Sequence, residues 1–393
     1  MAGSPPERLS LPPLKPGEKV RQEGEREVHL VSSPLPSFGK GFNLFGAADI
    51  RGRGTDVEPS PHCDPFVLCS AAVLPPGVSP PFCAHPHCGA SVVSILLQGG
   101  AMLPWDNVKG KEPTTLVPGG IYHVDSGAGC VHNERFEPIS LRPRTEPGFG
   151  DEPDTVQVDN ATPSIMMQLW WNAIDMNSPV GTPLRPVSTQ VVQPSEVPRV
   201  VLEGGLKLRV LSGSYKGTAD MLAPSSAHPT LLLHGRLDPN ADGSLTELPA
   251  DFNGFLWVVE GSLVAGNPSD KVEEVSAGER GLLHLPPGGS VLRLRNASSA
   301  KRATFVIGMG LPHRKPYYKY VGYGGGLIHR SLPEVEAAMS EYEADPKNFG
   351  RSAAGAKEGT IDTSEYVLLS GFQSDGGDMM ERPKDVVARF AYA

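Results

Sequence analysis

Short apolar runs that stop at glycine or proline constrain this chain more than any other feature. Ala90-Ser91-Val92-Val93-Ser94-Ile95-Leu96-Leu97 is closed by Gln98-Gly99-Gly100, and Phe255-Leu256-Trp257-Val258-Val259 by Glu260-Gly261. Runs of this length, rich in β-branched and aromatic residues and bounded by turn formers, read as strands. With 45 Gly and 40 Pro in 393 residues, long helices would be interrupted too often to dominate. The pattern repeats in outline, since Leu282 to Gly288 mirrors Leu116 to Gly120. Two all-β units are expected, which also suits the length.

Residues 1–25, rich in Pro and charge, read as a disordered tail. A first unit is expected over 26–185 and a second over 186–350, followed by a loose extension over 351–393. Within the first unit, residues 139–163 are polar and Pro/Gly-rich and read as a surface loop. Ile165-Met166-Met167-Gln168-Leu169-Trp170-Trp171 is too uniformly apolar for a half-exposed strand. It fits a sheet buried on both faces, with a helical piece left open by periodicity alone. Residues 172–200, dense in Pro, Ser and Thr, read as a crossover. One helix is expected from Ser331 to Met339, where Pro333 sits in the first turn and acidic residues follow.

Charge narrows the partners. The formal net charge is −9, and Arg51-Gly52-Arg53 and His313-Arg314-Lys315 are too short to make a basic track. Direct nucleic-acid binding is therefore not expected. No apolar run reaches the length of a membrane span. The start, Met1 to Arg8, lacks the pattern of a secretory signal. Five cysteines, Cys63, Cys69, Cys83, Cys88 and Cys130, then read as free thiols in a reducing compartment. Cytoplasm, with nuclear access open, is the expected location.

The chemistry-bearing residues are His85-Pro86-His87 and, some forty-five residues on, His132-Asn133-Glu134. On a strand, positions i and i+2 leave the same face. If the two segments face each other in a small barrel, His85, His87, His132 and Glu134 converge on one point. Three imidazoles and one carboxylate suit a divalent transition ion and leave positions open for chemistry or sensing. A lone histidine reads as a satisfied polar group; this matched quartet reads as a metal site. His123, His234 and His284 have no same-face partner and read as structural. The second unit has no His-x-His, and Phe252, Phe255 and Trp257 occupy its corresponding strand, so no metal is expected there.

Several stretches together resemble the pirin family of bicupins, within the cupin superfamily. They are Asp64-Pro65-Phe66, His85-Pro86-His87-Cys88-Gly89, Gly127 to Glu134 and Gln168-Leu169-Trp170. In the second half, Gly322-Tyr323-Gly324-Gly325, the helix Glu334 to Glu343 and Asn348-Phe349-Gly350 resemble the family's closing segment. The resemblance runs from about Val28 to Gly350. It implies two cupin barrels (double-stranded β-helices of jelly-roll type) packed together, with a short C-terminal helix. It also implies Fe(II) as cofactor, while the ligand set alone admits Mn, Ni, Cu or Zn. Four positions depart from the family's pattern: Ala90-Ser91-Val92-Val93, Pro104 before Asp106, Ala128, and Ser70-Ala71. They leave the four ligands intact and alter what surrounds them.

The activity that the resemblance implies is ring cleavage of a flavonol-like substrate by O₂, the quercetin 2,3-dioxygenase reaction, with Glu134 as general base. The alternative is a non-enzymatic, iron-dependent redox sensor and transcription co-regulator that binds a protein partner. A storage or scaffolding bicupin is a third reading, disfavoured by the retained ligands. Cys83 and Cys130 share the strand faces of the ligands and would either sensitise the metal to redox state or fill space; packing is the preferred reading. Met102, Trp105 and Phe136 are candidates for the cavity mouth or for ordinary core.

Overall fold

A computed structural model of the chain describes residues 64–76, 84–111, 115–136, 161–222, 228–266, 282–322 and 325–351, with short strands within 29–45, 144–158 and 273–276. The expected tail over 1–25, the extension beyond residue 351, and Cys63 and Cys83 lie outside the described residues. Among the described residues, apart from the helix Leu332–Ala344 and one short 3₁₀ turn, the regular elements are strands.

Four sheets stack in layers. A six-stranded sheet carries His85–Cys88 and Cys130–Phe136, and it faces a seven-stranded sheet that includes Phe66–Leu74, Ala90–Gln98, Ile121–Asp125 and Ser164–Asn172. A second seven-stranded sheet includes Leu206–Ser212, Thr230–Leu237, Asn253–Glu260, Leu282–Leu285 and Ala303–Gly310, and a four-stranded sheet covers its far side. The two seven-stranded sheets lie back to back.

This layering explains the uniformly apolar runs. In Ser164–Asn172, Met166 and Trp170 enter the core of the first sheet pair, while Met167, Leu169 and Trp171 enter the seam between the two pairs. In Asn253–Glu260, Leu256 and Val258 fill the second core, while Phe255 and Trp257 turn to the same seam. Phe66 meets Phe255 edge-on across it, with ring centroids 5.4 Å apart. A strand buried on both faces keeps period 2 in which core it feeds but loses it in polarity.

The ends of the chain are exchanged. His29–Leu30 pairs with Leu282–Leu285 in the second seven-stranded sheet. The hairpin Tyr318–Gly322 and Gly325–His329 joins the six-stranded sheet of the first pair, running parallel to the histidine strand with Gly326 opposite His87. The helix then packs Val335, Ala338 and Tyr342 on that sheet's outer face, with Cys88, Trp105, Val131 and Tyr320. It runs five residues beyond Met339.

Two readings of loop need correction. Residues 139–163 contain a hairpin, Arg144–Pro147 against Thr155–Val158, which polar composition concealed. The expected crossover over 172–200 supplies edge strands to both seven-stranded sheets, Ser188–Val192 beside Ile121–Asp125 and Arg199–Val201 beside Leu206–Ser212. Edge strands need little apolarity of their own.

Candidate metal centre

Backbone register brings the histidines together. Strand Cys130–Phe136 runs antiparallel to His85–Cys88, pairing His132 with His85 and Cys130 with His87. Alternation places His85, His87, Cys130, His132 and Glu134 on the inner face, and Cys88 and Val131 on the helix side. Gly89, at φ +67°, turns the chain into the next strand where a Cβ would stand 2.2 Å from the Ile328 carbonyl oxygen. Gly325 permits the parallel strand to close on the histidine strand, because a Cβ there would lie 1.9 Å from the Pro86 carbonyl oxygen.

His85, His87 and His132 each offer one ring nitrogen within 4.8 Å of the others, and all three are buried. The ring centroids are 4.5 to 5.1 Å apart. His132 Nε2 and His85 Nε2 are 2.9 Å apart. Two nitrogens bonded at right angles to one ion at about 2.0–2.1 Å would be separated by about 3 Å, so the pair already has the spacing of shared ligation. Nδ1 of His132 has no hydrogen-bond partner, and the His87 ring has only the Gly326 backbone beside it. Buried polar atoms are rarely left so. Burial, reinforced by the neighbouring imidazoles, pulls His87 and His132 well below the usual histidine range, so both are neutral with lone pairs available. The donor set fits a divalent transition ion.

Glu134 stands on the same face two residues from His132, yet the close group consists of the three histidines. Its carboxylate accepts hydrogen bonds from Ser94 Oγ and Gln168 Nε2. These two donors are cross-strand neighbours on the facing sheet. Burial pushes Glu134 up to about 7, against the opposing pull of both hydrogen bonds. A carboxyl of that kind exchanges protons near neutrality.

Other groups complete the site. Asp106 lies cross-strand from His132, and its Oδ1 accepts the backbone N–H groups of Val108 and Lys109 at 2.9 and 2.7 Å. Tyr122 O–H donates to Asp106 Oδ2 at 3.4 Å, and the Tyr122 ring lies 5.8 Å from His132. Trp170 meets the His87 ring edge-on at 4.7 Å. Sequence reasoning missed Ser94, Gln168 and Tyr122 as site residues. A usable signal existed: Ser94 and Gln168 are polar interruptions at the centre of apolar strands.

Of the remaining candidates, Cys130 is buried directly across from His87, and burial raises its thiol well above the usual range. Met102 belongs to the inner core and Trp105 to the helix-side cluster. The side chain of Phe136 lies outside the described residues. His123 stacks on Trp171 at 6.0 Å, and His234 lies on the seam side, where burial lowers it to about 3.

No family model matches the chain. Among curated proteins, human pirin is 26% identical over 293 residues, covering 74% of this chain and 85% of that protein. Pirin-like protein 2 of Arabidopsis thaliana is 24% identical over 303 residues, covering 76% and 79%. A Pseudomonas aeruginosa protein provisionally named a quercetin 2,3-dioxygenase is 26% identical over 289 residues, covering 72% and 87%. Among solved structures, a quercetin 2,3-dioxygenase from Acinetobacter baumannii superposes with a TM-score of 0.58 at 20% identity, over 83% of this chain and 96% of the other. A Geobacillus kaustophilus protein superposes with a TM-score of 0.52 at 19% identity, over 74% and 98%. These superpositions speak for the fold, and the sequence relatives are similar to this chain over most of its length. With two stacked barrels and a buried histidine triad in the first, the chain has a cupin-like fold and is similar in sequence to pirins and pirin-like proteins.

Proposed function

We propose that the chain is an Fe(II)-dependent dioxygenase of the quercetin 2,3-dioxygenase type, acting on a flavonol-like substrate. The observation that carries this reading is the buried triad His85, His87 and His132, whose ring nitrogens converge within 4.8 Å of one another. These residues would hold the ion, and Glu134 on the same strand face would complete the set as a fourth ligand. When bound, such an ion supplies open positions for an enolizable hydroxyl and for O₂ and lowers the hydroxyl's pKa.

The protein's own residues do the rest. Glu134, on the same inner face as the triad, would accept the substrate hydroxyl proton as general base. Ser94 and Gln168 fix its carboxylate from the opposite sheet. Val92, Tyr122 and Trp170 belong to the apolar core beside the triad and would keep water from it. Cys130 fills the position across from His87. The buried thiols Cys69, Cys88 and Cys130 suit a reducing compartment, cytoplasm or nucleus, in which iron stays divalent. Among the described residues no helix is long and apolar enough to cross a membrane.

The test loads the protein with Fe(II), adds quercetin in air, and follows loss of the flavonol absorbance. Turnover in the wild type that disappears in both His85→Ala and Glu134→Ala supports the reading. Metal bound without turnover rejects it, and the iron-dependent sensor acting on a protein partner takes its place.

A further inference from the structure

The exchanged hairpin brings a lysine into the first barrel. Tyr318 and Tyr320 pack on the helix side of the six-stranded sheet. Strand alternation therefore turns Lys319 to the inner face, the face of the histidines. Lys319 pairs with Ile328, which belongs to the inner core, and its ammonium donates to the Val67 carbonyl oxygen of the facing sheet at 3.2 Å. Among the described residues that carbonyl is its single partner, and no carboxylate stands within 4.0 Å of it. The residue keeps some solvent exposure, but its amine is enclosed enough that burial alone pulls it down to about 7.

A second donor points the same way. Trp170, 3% exposed, has an indole N–H without a hydrogen-bond partner. Its ring lies between His87 and the hairpin, 4.7 Å from the His87 ring centroid and against Gly326. A buried ammonium with one backbone acceptor and a buried indole N–H with none thus stand on the inner side of the first sheet pair. Leaving such groups unmatched costs free energy that an acceptor oxygen would recover. An anionic oxygen recovers most, because charge-assisted hydrogen bonds are the strong ones.

We propose that Lys319 is the ligand-recognition residue that makes the barrel select an apolar, ring-bearing molecule carrying a carboxylate. This rests on the reading that the substrate docks beside the histidine triad, and it narrows that flavonol-like class to ring compounds that carry an acidic group. The strand of Lys319 is two removed from that of His87, about 10 Å across the sheet. A molecule of one or two fused rings spans that distance with its hydroxyl toward the triad and its carboxylate toward the lysine. Val67, Val92 and Ile328 supply the apolar surface on that inner side.

The experiment measures binding, not turnover. The probes are 3-hydroxy-2-naphthoate and its neutral isostere 3-hydroxy-2-naphthamide, titrated by calorimetry into wild type, Lys319→Met, Lys319→Arg and His85→Ala, with thermal denaturation confirming each fold. Wild type should bind the acid roughly tenfold or more tightly than the amide. Lys319→Met should lose that preference and Lys319→Arg should keep it. A preference that survives in His85→Ala leaves the charge recognition standing even where the metal reading fails. Equal binding of acid and amide by wild type, no binding of either, or a preference unchanged in Lys319→Met overturns the proposal.

Discussion

Replacing Glu134 with Gln should make the metal-free protein more stable at neutral pH. The carboxyl is buried and lies at about 7 instead of 4.5, a change worth about 3 kcal/mol. Because the folded value is the higher one, the folded state binds this proton more tightly than the unfolded chain. The fold is favoured, as far as this group is concerned, below pH 4.5, and it loses stability as pH rises to about 7. An amide cannot ionise and lacks that slope. Gln168 can reverse its own amide to meet it, so the hydrogen bond need not be lost. The assay is chemical denaturation of both proteins, stripped of metal, between pH 4.5 and 8. The stability difference should open by about 3 kcal/mol in favour of the variant toward pH 8. The buried histidines titrate in both proteins, so the difference isolates Glu134. Parallel curves would refute the argument that burial outweighs the Ser94 and Gln168 hydrogen bonds.

Three further outcomes follow from other parts of the fold. His234 is lowered to about 3, so its folded value lies below the unfolded one; its stability contribution is complete above pH 6.5 and drains as pH falls. Between pH 6.5 and 5 this amounts to about 2 kcal/mol, and urea denaturation should show that loss shrinking in His234→Leu. Gly325→Ala forces a Cβ against the Pro86 carbonyl. It should cost about 1–3 kcal/mol or more in thermal denaturation and reduce metal content, since the hairpin must leave the histidine strand. Phe255→Ala empties the seam opposite Phe66 and should cost about 3–5 kcal/mol in chemical denaturation.

Much of this architecture was legible because period-2 patterns and turn residues are local. The strands around Val92, Leu169 and Leu256 announced themselves by β-branched and aromatic content, and the helix by Pro333 and the acidic turn after it. The histidine triad was legible because i, i+2 spacing fixes a strand face, whatever the partner strand turns out to be. What the sequence withheld was pairing across long separations. Nothing local tells Gly326 to lie beside His87, more than two hundred residues away, or Lys319 to enter the first barrel. The Glu134 environment was hidden for the same reason, since Ser94 and Gln168 reach it only through the stacking of two sheets. Edge strands such as Ser188–Val192 escaped because one sheet neighbour and a wet side demand no apolar signature.

Elemental analysis of the protein as isolated, without added metal, bears most directly on the account. It predicts one divalent transition ion per chain in the wild type and none in His87→Ala. An ion content near zero in the wild type, or one that His87→Ala leaves unchanged, would contradict it.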